Sequence, residues 1–264
     1  MKAVLSDRAI IAVSGPESRS FLQGLITNDI NKLTPDAPLY AALLTPQGKI
    51  LFDFLLYERE SSVLIDCARV TAEVLDKRLT LYKLRAKVEI ASRGDLAVIA
   101  SWNGEATGGW RDPRLAALGA RSLALDYLEE PSLDAYTAHR LELGVPESRD
   151  FGQDEMFALD ADLEELNGVA FDKGCYVGQE LTARMKHRGT ARKKLLPIEA
   201  SRGGLPSPGS RVLAGGSDLG TITSIYRNRG FALIRLDRLA EVQDVPLESE
   251  GTPVAVRKPS WLFS

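Results

Sequence analysis

Residues 39–45 and 50–58 form two strand-like runs joined by Pro46-Gln47-Gly48-Lys49. Two such runs around a short glycine-containing turn close as a hairpin, which commits the chain to antiparallel sheet. Its surroundings fit that commitment. Residues 8–13 read as a short buried strand, 63–65 as another, and 85–90 alternate with period two. Residues 96–100 and 122–125 add further strands, with a turn-rich run at 103–119 between them. Helices interleave. Ser14 and Glu17 have capping-box spacing with Pro16 in the first turn, and Phe21, Leu22, Leu25 and Ile26 form a helical apolar stripe that runs out at Thr27-Asn28-Asp29. Residues 68–81 predict a helix, and 133–143 another that ends at Gly144 with Pro146 beyond it. These lengths together predict an α+β fold. From Leu195 onward, short strands separated by clusters such as Ala214-Gly215-Gly216-Ser217 predict a small β-barrel as the C-terminal module.

At 264 residues, 44% apolar and 26% charged, the chain is long for one small core, and two or three packed lobes are expected. A net charge of -3 argues against a general nucleic-acid or membrane-surface binder. Two cysteines, Cys67 and Cys175, and two histidines, His139 and His187, are too few for a disulfide framework or a permanent metal site. Residues 1–13 lack a secretory apolar core and no stretch approaches the ~20 apolar residues that span a bilayer, so a reducing cytoplasm is the expected home.

The octet Lys173-Gly174-Cys175-Tyr176-Val177-Gly178-Gln179-Glu180 carries the strongest chemical signal. Nearby cations favour a thiolate, and Gly174 and Gly178 let the loop bring its amides close to a bound group. A lone cysteine otherwise packs as a small hydrophobe, and in this setting the two readings weigh equally. Cys67, at the end of an apolar strand, reads as structural. The acid-free stretch from Arg184 to Lys194 fits an anionic small molecule, RNA or a solvated helix face, with RNA the weakest of the three because aromatics are not interleaved. Of the scattered acids Asp29, Glu142, Asp160 and Glu180, a pterin pocket would need one buried carboxylate, and Glu180 and Arg184 are spaced to pair with each other.

The octet, followed by Arg184 and by Arg188-Gly189, resembles the signature of the YgfZ family of folate-binding proteins. These are relatives of the glycine-cleavage T-protein and include a mitochondrial iron–sulfur assembly factor. The resemblance extends to Phe21-Leu22-Gln23-Gly24-Leu25-Ile26-Thr27-Asn28-Asp29 and to the turn Thr45-Pro46-Gln47-Gly48-Lys49. It also covers Asp112-Pro113-Arg114 with Leu118-Gly119-Ala120-Arg121, and Arg140-Leu141-Glu142-Leu143-Gly144-Val145-Pro146. It implies a three-lobed, T-protein-like (GcvT-like) ring around a central opening that holds tetrahydrofolate or a one-carbon derivative. The first lobe would comprise 1–38 plus 132–192, an inserted ferredoxin-like lobe 39–131, and a barrel 193–264.

The resemblance further implies a site in which Cys175 and Asp29 act and Lys173, Glu142, Gly174, Tyr176, Gln179, Glu180, Arg184 and Asn28 serve the folate. Two departures stand out. The segment Met156-Phe157-Ala158-Leu159-Asp160 replaces a proline-containing version, and the T-protein lacks the cysteine octet. The implied function is a folate-binding accessory protein for iron–sulfur cluster assembly or repair, supporting cluster enzymes including those of tRNA modification. Its partners would be folate and, transiently, iron–sulfur proteins or assembly factors, with no membrane and no direct nucleic-acid contact. The alternative is a folate-dependent aminomethyl transferase like the T-protein, in which Asp29 would handle the attacking amine.

Overall fold

The fold is taken from a computed structural model that describes residues 1–104, 108–125, 133–189, 192–242 and 245–263. The chain opens with β1 (Lys2–Val4) and β2 (Arg8–Ser14), passes through helix α1 (Ser18–Gln23), and enters β3 (Leu39–Leu44), β4 (Ile50–Arg59) and β5 (Ser62–Ala68). Helix α2 (Arg69–Lys83) follows, then β6 (Glu89–Ser92), β7 (Leu96–Ser101), β8 (Trp110–Arg111) and β9 (Ala120–Leu125). Helices α3 (Leu133–Leu143), α4 (Ser148–Phe151) and α5 (Gln179–Arg188) lead to the last module. That module comprises β10 (Lys193–Ala200), β11 (Arg211–Ala214), β12 (Ser217–Tyr226), β13 (Arg229–Arg235), helix α6 (Leu236–Glu241), β14 (Leu247–Ser249) and β15 (Thr252–Val256).

The expected hairpin is β3–β4, and it sits in a five-stranded antiparallel sheet of order β3-β4-β5-β2-β6. Both faces of this sheet are covered, so all six residues of β3 are buried and the strand reads as an apolar run without alternation. One face packs on α1 and α2 through Leu22, Leu75 and Leu79, with Ile11, Val13 and Phe54 beneath them. The other packs Tyr40, Tyr57 and Leu64 toward α3 and a four-stranded sheet of order β1-β7-β9-β8. The C-terminal strands close a six-stranded barrel, β10-β13-β12-β11-β14-β15, around Leu196, Ile198, Val212, Ile222 and Ile234. The α+β class and the C-terminal barrel are therefore as expected.

Four local expectations are corrected. Ser14 does not cap α1 but stays in β2, and Glu17, at the helix N-cap, instead accepts a hydrogen bond from the Lys87 amide at 2.9 Å. Helix α1 stops at Gln23, where the Gln23 carbonyl accepts from Lys173 and the Thr27 N–H turns to the Ala42 carbonyl of β3 at 2.9 Å. The strand expected from residue 85 starts at Glu89, and α6 carried no anticipated signal. The boundary at 38/39 also cuts through hydrogen-bonded sheet: β2 pairs with β5 and β6, and β1 pairs with β7. The boundary at 131/132 and residues 190–191 of the basic stretch lie outside the described residues.

Candidate functional site

The octet is a loop held from two sides. Lys173 is buried, and its Nζ donates to the carbonyls of Gln23, Ile26 and Asn28 at 2.7, 2.7 and 2.8 Å. An ammonium has three protons, so all are committed. Burial pulls this amine down to about 8, opposed by the charge of Asp29. Lys173, expected to hold folate, here ties the octet to the loop after α1. On the other side, Gly178 has φ +81°, and a Cβ there would lie 2.5 Å from the Thr45 carbonyl oxygen, so only glycine fits against the β3–β4 turn. Lys173→Met is expected to strand three carbonyls, lower stability by about 1–3 kcal/mol and speed amide exchange in residues 173–178. Unchanged exchange there, by hydrogen-exchange mass spectrometry, would show that the ammonium does not hold the loop.

Between these anchors Cys175 is exposed, and a Cβ at Gly174 would meet nothing within 4 Å. Cys67, by contrast, is buried, and burial pushes its thiol up to about 12. Tyr176 packs in the core with its hydroxyl pushed up to about 12 by burial, so it braces the loop from beneath. Gln179 opens α5, and Glu180 pairs with Arg184 at 2.5 Å on the exposed surface of that helix. These four residues shape or flank the thiol loop and line none of the described cavities.

Asp29 caps the short turn Ile30–Lys32, its Oδ1 accepting from the Asn31 N–H at 3.1 Å, Asn31 Nδ2 at 3.0 Å and Gln23 Nε2 at 2.9 Å. The Asn31 amide, outweighing partial desolvation, keeps this carboxylate below its usual range. Asn28 donates to the carbonyls of Tyr40 and Asn167, both at 2.8 Å, and lines a cavity of about 310 Å³ with Lys32, Tyr40, Pro113 and Glu164. Glu142, expected to serve the folate, faces the barrel. It is exposed on α3 and bridges to the barrel through Arg229 at 2.5 Å and Arg257 at 3.0 Å. Asp160 is buried beside Lys193 and Lys194, and burial pushes it up to about 6.

The buried acid of this region is Glu147, five residues after Glu142. It sits in an ionic network made by the arginines of the quoted motifs. Arg114 forks onto Asp112 at 2.9 and 2.7 Å and reaches Glu147 at 3.0 Å. Arg121 meets Asp66 at 2.8 Å and Glu147 at 3.3 Å, Arg8 meets Asp66 at 2.6 Å, and Arg140 meets Asp150 at 2.6 Å. Ser224 of the barrel donates to Asp150 at 2.6 Å, so both sheets, α3, α4 and the barrel converge here. Burial alone would raise Glu147, but Arg140, Arg114 and Arg121 hold it far below the usual carboxylate range. The sequence placed Arg114, Arg121 and Arg140 in motifs and Arg8 only at the start of a strand, with none of them assigned to a site; cations set among apolar residues were the available signal.

Against this network lies a larger cavity of about 610 Å³, lined by Phe52, Arg69, Val70, Ser148, Arg149 and Phe151 among others, with Arg8 and Glu147 at its floor. That volume suits a small organic ligand. Arg69 is exposed at the mouth and donates its Nε to the Ser6 carbonyl at 2.7 Å; among the described residues no carboxylate pairs with it. Ser148 Oγ and Asp53 share a hydrogen bond, and Asp53 also accepts from the Tyr40 hydroxyl at 3.2 Å, so this three-residue chain separates the two cavities. The β3–β4 hairpin links cavity and thiol loop. Gly48 packs on Gly178 and Leu181, while Leu51 and Phe52, three and four residues along, form cavity wall, roughly 10–13 Å away at the rise of a strand.

The fold matches that of glycine cleavage system aminomethyltransferase T from Bartonella henselae, with a TM-score of 0.78 over 98% of this chain and 85% of that one; at 17% identity this likeness shows the fold. Residues 192–264 match the family described as CAF17, C-terminal beta-barrel domain. The chain is 34% identical to the human iron–sulfur cluster assembly factor IBA57, covering 97% of this chain and 84% of the relative. It is 32% identical to the homologue from Coccidioides immitis, covering 97% and 76% respectively. Both relatives are named mitochondrial, which overturns the expectation of a cytoplasmic home.

Proposed function

The chain belongs to the family of the iron–sulfur cluster assembly factor IBA57, and on that premise we propose that it acts in cluster assembly through Cys175, with a reduced folate in the larger cavity. The observation that carries the reading is the contrast between the two thiols. Cys67 is sealed in a strand, whereas Cys175 stands in solvent on a loop fixed by Lys173 and Gly178. On binding iron the Cys175 thiol gives its proton to solvent and supplies one thiolate ligand. Among the described residues no group of three or more His, Cys, Asp or Glu is placed to hold a metal ion, so the remaining ligands of a cluster in transit come from a partner or a small thiol. Support of cluster enzymes, including those that modify tRNA, follows downstream.

The cavity residues fit the folate. Leu51 and Val70 offer apolar wall to a flat heterocycle with Phe52 and Phe151 buried behind them, Ser148 offers a hydrogen bond, and Arg69 offers free guanidinium N–H groups to a tail carboxylate. Bound folate would supply a carrier for a one-carbon unit. The test joins rescue of cluster-enzyme activity in a strain lacking its own relative with calorimetric titration of 5-formyltetrahydrofolate. Wild type is expected to rescue and to bind, and Arg69→Ala to weaken binding about tenfold. Absence of binding would remove the folate half, and absence of rescue the assembly half. Rapid aminomethyl transfer, lost in Asp29→Asn but kept in Cys175→Ala, would replace the proposal with the transferase reading.

A further inference from the structure

We propose that Asp53 is a specificity-determining residue of the larger cavity: by carrying a proton it makes the Ser148 hydroxyl a hydrogen-bond donor toward the ligand. The choice of ligand rests on the folate reading above. The first support is a charge count. Arg8, Arg114, Arg121 and Arg140 are matched by Asp66, Asp112, Glu147 and Asp150, four cations against four anions, all in mutual ion pairs. Asp53 is a fifth acid, 1% exposed, and among the described residues it forms no ion pair. Its partners are two hydroxyls, Ser148 Oγ and Tyr40 Oη.

The groups that face Asp53 are Arg8 of β2, Tyr40 of β3, the Cys67 thiol of β5, Arg114 after β8, and Glu147 with Ser148 at α4. Burial pushes its carboxyl up, the Glu147 charge adds to this, and Arg8, the Ser148 hydrogen bond and Arg114 only partly reverse it. An ionised Asp53 would leave the buried set one negative charge in excess, whereas a protonated one leaves it neutral.

The proton decides what the cavity offers. A hydroxyl has one proton. If Asp53 is ionised, Ser148 donates to it and shows the ligand only lone pairs. If Asp53 is protonated, its O–H donates to Ser148 Oγ, and the serine proton is released toward a carbonyl or ring nitrogen of the ligand. Ser148 lines the cavity, while Asp53 lies one hydrogen bond behind it, so Asp53 acts through Ser148.

In titrations of 5-formyltetrahydrofolate across the pH range in which the protein stays folded, the affinity of wild type is expected to fall roughly tenfold as pH rises and Asp53 ionises, with proton uptake on binding read from buffers of different ionisation enthalpy. Asp53→Asn, whose amide donates to Ser148 as a protonated acid would, is expected to keep the low-pH affinity at every pH and to take up no proton. Ser148→Ala, at the cavity wall, is expected to bind more weakly and without pH dependence even if the Asp53 variant fails to fold. pH dependence that survives in Ser148→Ala, or proton release on binding, would overturn the proposal. A readout without folate separates the two readings. Infrared difference spectra of the free protein should show a protonated-carboxyl band that Ser148→Ala shifts and Asp53→Asn removes. Absence of that band in wild type at the acid end of the same range would overturn the role of Asp53 whatever folate does.

Discussion

Cys175→Ser is expected to drop rescue of cluster-enzyme activity to the level of an empty vector while leaving the protein folded. The side chain is exposed and the glycine before it has open space around it, so the substitution removes no packing and should change stability by no more than about 0.5 kcal/mol. What it removes is the thiolate, the one cysteine sulfur of this chain that is exposed to solvent: serine is a hard, weakly acidic hydroxyl and binds iron poorly. Cys67→Ala makes the control. It leaves a small gap under β5 and is expected to lower the melting temperature by a few degrees while rescue is retained. The folate titration of Cys175→Ser should match wild type, since Cys175 does not line the larger cavity. Full rescue by Cys175→Ser would show that the loop matters for its shape and that cluster chemistry resides elsewhere.

The largest stability effect is expected at Glu147. Glu147→Ala removes the carboxylate shared by Arg114, Arg121 and Arg140 and leaves three buried guanidinium groups short of a partner. Breaking a buried ion pair from one side costs about 3–5 kcal/mol, a large part of the ~5–15 kcal/mol that holds a domain folded. Chemical denaturation should therefore show a much lower midpoint or no native baseline. Glu147→Gln, which keeps the shape and part of the hydrogen bonding, should fall between. The pH dependence follows from the same residue. Its folded pKa lies below its ordinary value of 4.5, so the native state binds this proton less readily than the unfolded chain. The stabilisation is complete above about pH 4.5 and is lost as the pH falls, and Glu147→Gln should flatten that acid limb. A wild-type melting temperature indifferent to Glu147→Ala would show that the arginines find other partners and that the network is not cooperative.

Elements set by near neighbours in the chain were legible in the sequence. The β3–β4 hairpin follows from two apolar runs around Pro46-Gln47-Gly48-Lys49, and α3 ends at Leu143 because Gly144 adopts φ +71° and Pro146 blocks continuation. The barrel showed itself through regular short strands and glycine turns. Where the reading failed, a distant partner had intervened. Glu17 has the spacing of a capping residue, but the Lys87 amide, 70 residues away, takes its carboxylate. Lys173 has the charge to hold an anion, but the carbonyls of residues 23–28 surround it.

The sequence by itself determined the octet as a motif, because its cysteine, glycines and lysine are neighbours in the chain and their identities stand whatever packs against them. That Gly178 takes a left-handed backbone against the distant Thr45 carbonyl was decided by packing. Only the tertiary structure decided which carboxylate of Arg140-Leu141-Glu142-Leu143-Gly144-Val145-Pro146-Glu147 is the buried one. Glu142 and Glu147 are chemically alike and five residues apart, yet one meets half-buried arginines of the barrel and the other meets Arg114 and Arg121, 33 and 26 residues earlier in the chain. A carboxylate's burial, charge and hydrogen bonds are set by what surrounds it in space, and that is a property of the packed chain.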